Sequence, residues 1–214
     1  MSLSPQESVQ LSKLLSYVLR HGAAKESLTI SASGYIAVSD LLQRPKFKNI
    51  TLQQIQHVVD TNDKKRYQLT EIEGEYFIRA NQGHSLKTVE AKDLLQEIQE
   101  DISPVIHGTS LKAWESIKEQ GLSKMNRNHI HFAAGLPNDK GVISGMRNSS
   151  QVYIYINVSK ARSDGVIFYK SSNNVILSSG INGIIEPKYF EKVVNKQGDG
   201  LQYFLFFFNF AYII

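Results

Sequence analysis

The hydrophobic pattern of this chain changes period once, across the acidic and polar stretch DLLQEIQEDISP at residues 93–104, which limits it to two differently built layers in series. Before the break, apolar residues recur at helical spacing. Leu11, Leu14, Leu15, Val18 and Leu19 fall at i, i+3, i+4, i+7 and i+8, the stripe of an amphipathic helix. Ser4, Pro5 and Glu7 supply its start: a capping hydroxyl, a proline in the first turn and a carboxylate three residues after the cap. Gly22 suits its stop. VSDLLQ and TLQQIQHVVDTND predict two more helices, the second with a Thr51/Gln54 capping box. LTISASGYIAV alternates loosely around a Ser-Gly turn, and RYQLTEI and EYFIRA flank Glu73-Gly74 as the strands of a hairpin. Three short helices and a two-stranded wing make residues 1–100 a winged-helix-like lobe, a kind of module that commonly handles nucleic acid.

Beyond the break the runs are shorter. PVIHG reads as a strand, LKAWESIKEQ as a helix closed by Gly121, and NHIHFA, QVYIYINV, GVIFYK and NVILSS as strands separated by Gly, Asn and Ser. The expected fold class is α+β, with a split, mostly antiparallel sheet over residues 101–200. With 214 residues and 42% hydrophobic content, one large or two small cores can form. The last stretch, LQYFLFFFNFAYII at 201–214, is almost wholly apolar. It falls short of the roughly 20 apolar residues of a membrane span. A buried terminal strand is the first expectation, with a membrane tail, a partner-binding strand or an unnatural terminus as alternatives.

The absence of cysteine excludes disulfides, cysteine-ligated zinc, iron–sulfur clusters and a thiol nucleophile. With no basic-then-apolar leader at the start, a reducing intracellular compartment is the expected home. Residues 1–100 hold 12 basic and 12 acidic side chains and residues 101–214 hold 12 and 8, so the surplus positive field is expected in the second half.

Candidate chemistry concentrates in a few segments. In SYVLRHGA, Arg20 falls roughly opposite the apolar stripe and His21 beside it, free either to complement the helix dipole or to face a ligand. His129 and His131 in NHIHFA fall on one face of a strand and His107 precedes Gly108 and Thr109 in IHGTS. Three such imidazoles could bind zinc or could be hydrogen-bonded core groups. HGTS places a glycine and two hydroxyls where a strand turns into a helix, within reach of phosphate or carboxamide oxygens. GVISGMRNSS offers Ser144, Gly145 and the planar fork of Arg147. Arg66 follows Lys64 and Lys65, a pair expected to be solvated charge. Neither a P-loop nor a GxGxxG fingerprint is present, which argues against a conventional NTPase or Rossmann dehydrogenase.

Together LSKLLSYVLRHGA, GYIAVSDLL, VVDTNDKKRYQL, IRANQGHS, IHGTS, MNRNHIHFA, KGVISGMR and NVILSS resemble, in order and over roughly residues 8–195, the RNA 2′-phosphotransferase family, also called tRNA 2′-phosphotransferase. The resemblance implies a winged-helix-like lobe followed by an ADP-ribosyltransferase-like lobe that binds NAD. It implies RNA or tRNA carrying an internal splice-junction 2′-phosphate as substrate. In that chemistry the 2′-phosphate attacks C1″ of the nicotinamide ribose and releases nicotinamide; O2″ then attacks phosphorus, leaving 2′-OH RNA and ADP-ribose 1″,2″-cyclic phosphate. The family's catalytic positions fall on Arg20, His21, Arg66 and Arg147, and its NAD contacts on His107, Gly108, Thr109, Asn128, His129, His131, Ser144 and Gly145. No metal and no stable protein partner are implied; a cytoplasmic or nuclear monomer is expected. Gln82-Gly83-His84-Ser85 matches the family as either an RNA contact or a lobe hinge, whereas residues 201–214 match no family pattern. Two alternatives are an ADP-ribosyltransferase acting on protein or nucleic-acid phosphates and a catalytically inactive winged-helix RNA-binding protein.

Overall fold

The computed structural model describes residues 3–137, 139, 142 and 145–202. Helix α1, Pro5–Tyr17, begins with the expected capping box: the Ser4 amide donates to the Glu7 carboxylate at 2.7 Å and the Glu7 amide to the Ser4 hydroxyl at 3.3 Å. Leu11 and Leu15 point into the core. The chain does not continue as α-helix to Gly22. It widens into a π turn over Val18–Gly22, which buries Val18, Leu19 and Gly22 while leaving Arg20 and His21 outside the apolar interior. A Cβ at Gly22 would lie 2.6 Å from the Tyr17 ring, so any larger residue there would have to displace that ring.

Strand β1 (Ile36–Ala37), α2 (Val38–Leu42) and α3 (Leu52–Asp60) follow, then the hairpin β2 (Tyr67–Ile72) and β3 (Glu75–Ala80). Glu73 and Gly74 both have positive φ, as a two-residue type I′ hairpin turn requires. The strands form an antiparallel sheet in the order β1-β3-β2, so the expected two-stranded wing gains a third, short strand. Leu15, Leu19, Leu41, Phe47, Ile55 and Ile78 form the fully buried centre of this first core.

The acidic stretch after it is part of the structure. Helix α4 (Ala91–Leu94) leads into β4 (Gln96–Glu97), which pairs with a strand far along the chain. Then come β5 (Ile106–Thr109), α5 (Leu111–Gln120), β6 (Leu122–Ser123), β7 (Ile130–Phe132), β8 (Val152–Ile156), α6 (Val158–Ser163), β9 (Tyr169–Lys170), β10 (Ile176–Ser178), β11 (Ile184–Ile185) and β12 (Phe190–Asn195). They make antiparallel sheets in the orders β4-β9-β10-β7 and β12-β8-β5, with β11-β6 as a separate pair. An Ile106–Ala133 bridge joins the two larger sheets, matching the expectation of a split antiparallel arrangement. GVIFYK contributes only its last two residues as strand. Phe132, Ile154 and Phe168 are fully buried in the second core. The expectation for residues 201–214 falls outside the described residues, apart from Leu201 and Gln202; the Leu201 amide donates to the Val193 carbonyl at 2.9 Å.

Candidate active site

A cleft of about 460 Å³ lies between the two cores. From the first come Arg20 of the π turn, Lys64 and Arg66 ahead of β2, and Gln82 just after β3. From the second come His107, Gly108 and Thr109 of β5, His131 of β7, Arg127, and Gly145 and Arg147 of the 145–150 segment. A second compartment, about 520 Å³, shares His107, Arg127, His131 and Arg147 and adds His21, Ser85 and His129. Thus the structure brings together Arg20, His21, Arg66, Arg147, His107, Gly108, Thr109, His129, His131 and Gly145. Gly145 has φ of +114°, and a Cβ there would lie 2.7 Å from the Phe132 carbonyl oxygen, so only glycine lets this segment close over β7.

Ser144 lies outside the described residues. Asn128 faces elsewhere: its side-chain amide donates to the Leu86 and Val89 carbonyls at 3.0 and 3.3 Å, and its backbone amide to the His84 carbonyl at 2.8 Å. At the start of α5 two amides are already engaged, Ala113 by the Ser110 hydroxyl and Leu111 by the Gln151 side chain. The helix start therefore offers an anion less than the HGTS pattern suggested. Among the described residues no group of three or more His, Asp or Glu side chains is arranged to hold a metal ion.

Five cationic side chains, Arg20, Lys64, Arg66, Arg127 and Arg147, line the first compartment, and no Asp or Glu appears among the described residues of either. Nε and Nη2 of Arg20 are buried without a hydrogen-bond partner. Desolvation pulls its guanidinium down to about 10; Tyr67 opposes this, and Arg66 and Arg127 add smaller downward pulls. Arg127, although exposed as a residue, is lowered by desolvation of its charged end and then by Arg147. Burial, followed by the surrounding arginines, pushes His131 down to about 3. His21 is lowered by burial, then Arg127, then Arg20. The cleft is thus a preformed excess of positive charge with neutral imidazoles, a cavity suited to a polyanion.

Several contacts hold that charge in place. A carbonyl can only accept, so His107 Nδ1–H donates to the His131 carbonyl at 2.9 Å, leaving its Nε2 lone pair free. His131 Nε2 lies 2.8 Å from the Gln82 side-chain oxygen and His21 Nδ1 2.8 Å from the Ser85 hydroxyl. The Ser85 amide donates to the Arg20 carbonyl at 3.0 Å. The Gln82–Ser85 run therefore braces Arg20, His21 and His131 at once, a role absent from both sequence expectations for it. Arg66 is held by Asn62, whose side-chain oxygen accepts from its amide at 3.0 Å. Buried Asn173, from the second core, donates to the Lys64 carbonyl at 3.0 Å, and Asn81 donates to the Lys65 carbonyl at 2.7 Å. Lys64, expected as solvated charge, is half-buried and lines the cleft. Arg127 and Lys64 were the cationic lining residues that sequence reasoning missed; Arg127's signal was its place two residues before His129.

A family profile described as RNA 2′-phosphotransferase, Tpt1 / KptA family, matches residues 6–180. A Schizosaccharomyces pombe protein is 47% identical over 193 residues, which cover 90% of this chain and 53% of that protein, so the chain spans about half its length. The Danio rerio tRNA 2′-phosphotransferase 1 is 44% identical, with 86% of this chain and 84% of the relative covered. The Saccharomyces cerevisiae tRNA 2′-phosphotransferase is 42% identical, with 82% and 80% covered.

Proposed function

The chain belongs to the RNA 2′-phosphotransferase family, and from that premise we propose that its cleft removes the internal 2′-phosphate from ligated tRNA, with NAD consumed as the acceptor substrate. The observation that carries this reading is Arg20: two buried guanidinium nitrogens without partners, at the wall of a cleft whose described lining holds five cations and no acid. A buried, unpartnered cation is costly and is rationalised by an anion that completes it. A phosphate monoester brings nearly two negative charges and three acceptor oxygens.

Residues 1–100 then serve as a winged-helix-like lobe that grips the RNA phosphate, and residues 101–200 as an ADP-ribosyltransferase-like lobe. NAD supplies an electrophilic ribose carbon and a neutral leaving group. Gly108, Thr109 and Gly145 form a small-residue wall against which a dinucleotide can lie, and the free Nε2 of His107 can accept from a hydroxyl or amide. Arg20, Arg66, Arg127 and Arg147 neutralise the dianion and fix its direction of attack. The absence of a carboxylate fits such a nucleophile, since a phosphate is already deprotonated and needs no general base. In the later phosphoryl transfer the same arginines face the charge that develops on the phosphoryl oxygens, which is the main work left to protein groups there. His21, tied through Nδ1, keeps Nε2 for the proton the attacking hydroxyl releases. The reading makes the protein an intracellular monomer, cytoplasmic or nuclear, with no stable protein partner.

Incubation of the protein with NAD and a short RNA bearing one internal 2′-phosphate should give 2′-OH RNA and free nicotinamide without added metal. RNA left unchanged at high enzyme concentration, with and without chelator, overturns the reading.

A further inference from the structure

A groove of about 540 Å³ lies between α1 and the turn that joins α3 to β2. Lys64 and Arg66 line both it and the cleft, so the two adjoin. Three features define the groove. Its floor is fixed, because the hydroxyls of Ser16 and Ser12 lie 2.6 and 3.0 Å from the Tyr67 hydroxyl. Some of its polar atoms are spent on the protein itself: the Asn62 side-chain oxygen accepts from Arg66 and the Thr61 hydroxyl donates to the His57 carbonyl at 2.7 Å. Its positive charges are not: Lys13, exposed on α1, and Lys64 have no ion-pair partner among the described residues, and Asp63 is the one acid among the described lining residues.

We propose that this groove carries the RNA strand flanking the 2′-phosphate, with Lys13 and Lys64 contacting its backbone phosphates; the assignment rests on the phosphotransferase reading. An internal 2′-phosphate sits on a strand that must leave the cleft. The second-core walls are those assigned to NAD, and this groove is a way out along the first core that does not cross them. Base edges are read by unspent amides and forks, whereas phosphates need only charge. Lysines without ion-pair partners among the described residues, set along the groove, therefore hold RNA by its backbone.

Lys13→Glu tests this, because Lys13 lies outside the cleft and its exposed side chain leaves the core intact. Substrates are a 2′-phosphorylated RNA of about ten nucleotides and a dinucleotide with the same junction; binding of an unmodified RNA of the longer length is followed by fluorescence anisotropy across a salt series, where each lost phosphate contact lowers the slope by about 0.7. The expected result is a KM for the long RNA raised about fivefold, the scale of one exposed ion pair, with kcat and the KM for NAD unchanged. The dinucleotide should be processed as before, and the salt slope should fall by about 0.7. An unchanged KM and slope, or an equal loss on the dinucleotide, overturns the groove. If the wild-type protein processes neither RNA, the phosphotransferase reading has failed, and the anisotropy slope alone decides the groove.

Discussion

Arg20 sits where an arginine is costly, its Nε and Nη2 buried, unpartnered and close to Arg66 and Arg127. A charge held there is stabilised only when an anion reaches it, and a planar fork fits phosphate oxygens in a way a point charge does not. Arg20→Ala should therefore lower single-turnover rates by about 10²–10³, the scale of losing a donor aimed at developing charge. Arg20→Lys should restore little of it; full rescue by lysine would mean that charge alone is required. Arg147 divides the steps differently. It stands on the second-core side and borders both compartments, so it should matter most once the phosphate is tethered to the acceptor. Arg147→Ala should accumulate a slower-migrating RNA species on a gel of end-labelled substrate, and Arg147→Lys should not clear it. Loss of NAD consumption with no such species would assign Arg147 to binding or to the first step. Arg20, His21, Arg66 and Arg147 were legible because each stands in a short segment whose other residues also carry meaning. Lys64 was not, since a lysine pair in a polar turn looks the same whether it faces solvent or a cleft. Arg127 was overshadowed by the imidazoles beside it.

At the scale of elements, capping boxes and the hairpin were readable because local chemistry dictates them: Ser4 with Glu7, Thr51 with Gln54, and Glu73-Gly74 between alternating runs. The π turn was not. Val18 and Leu19 keep the apolar spacing of an α-helix, so nothing in the local pattern distinguishes the wider turn. Strand β12 was missed for a related reason, since exposed Glu191 and Lys192 interrupt its apolar alternation while pairing with β8 supplies its order. Long-range braces are invisible to any local pattern, and Asn173 is the clearest. It joins two segments 109 residues apart, and its oxygen accepts from the Ser171 hydroxyl at 2.8 Å. Asn173→Ala leaves the Lys64 carbonyl without this donor, which should cost about 1–3 kcal/mol in chemical denaturation. It should also loosen the turn that carries Lys64 and Arg66. The KM for 2′-phosphorylated RNA should then rise while the KM for NAD holds. Equal increases in both would show that Asn173 supports the fold generally and not this turn.

For the molecule as a whole, the count of charges by halves does not locate the field of the cleft. Arg20, Lys64 and Arg66 come from the half with equal acidic and basic residues, and with Arg127 and Arg147 of the other half they meet in a cleft whose described lining holds no acid. What matters to a ligand is where folding gathers the charges, and composition does not record that. This surplus sets the response to pH. His131 and His84 are pushed down to about 3 and His129 to about 4, in each case by burial first. A folded-state value below the unfolded value of about 6.5 means that the unfolded chain binds more protons, so stability is complete above that value and declines as pH falls through the window toward 3–4. Sulfate, which remains a dianion there, should oppose the decline by seating beside Arg20 and providing a counter-charge for protonated imidazoles. By reciprocity its binding should tighten as those groups take up protons. The wild-type Tm should accordingly rise more in sulfate than in chloride at equal ionic strength, and the excess should grow as pH falls below about 5 toward 4, where the native imidazoles begin to take up protons. Sulfate also stabilises proteins without a site, so Arg20→Ala is the control that isolates the cleft: its excess should be small and flat with pH. Equal sulfate responses in the two proteins would mean that the dianion does not bind where the unpartnered guanidinium waits.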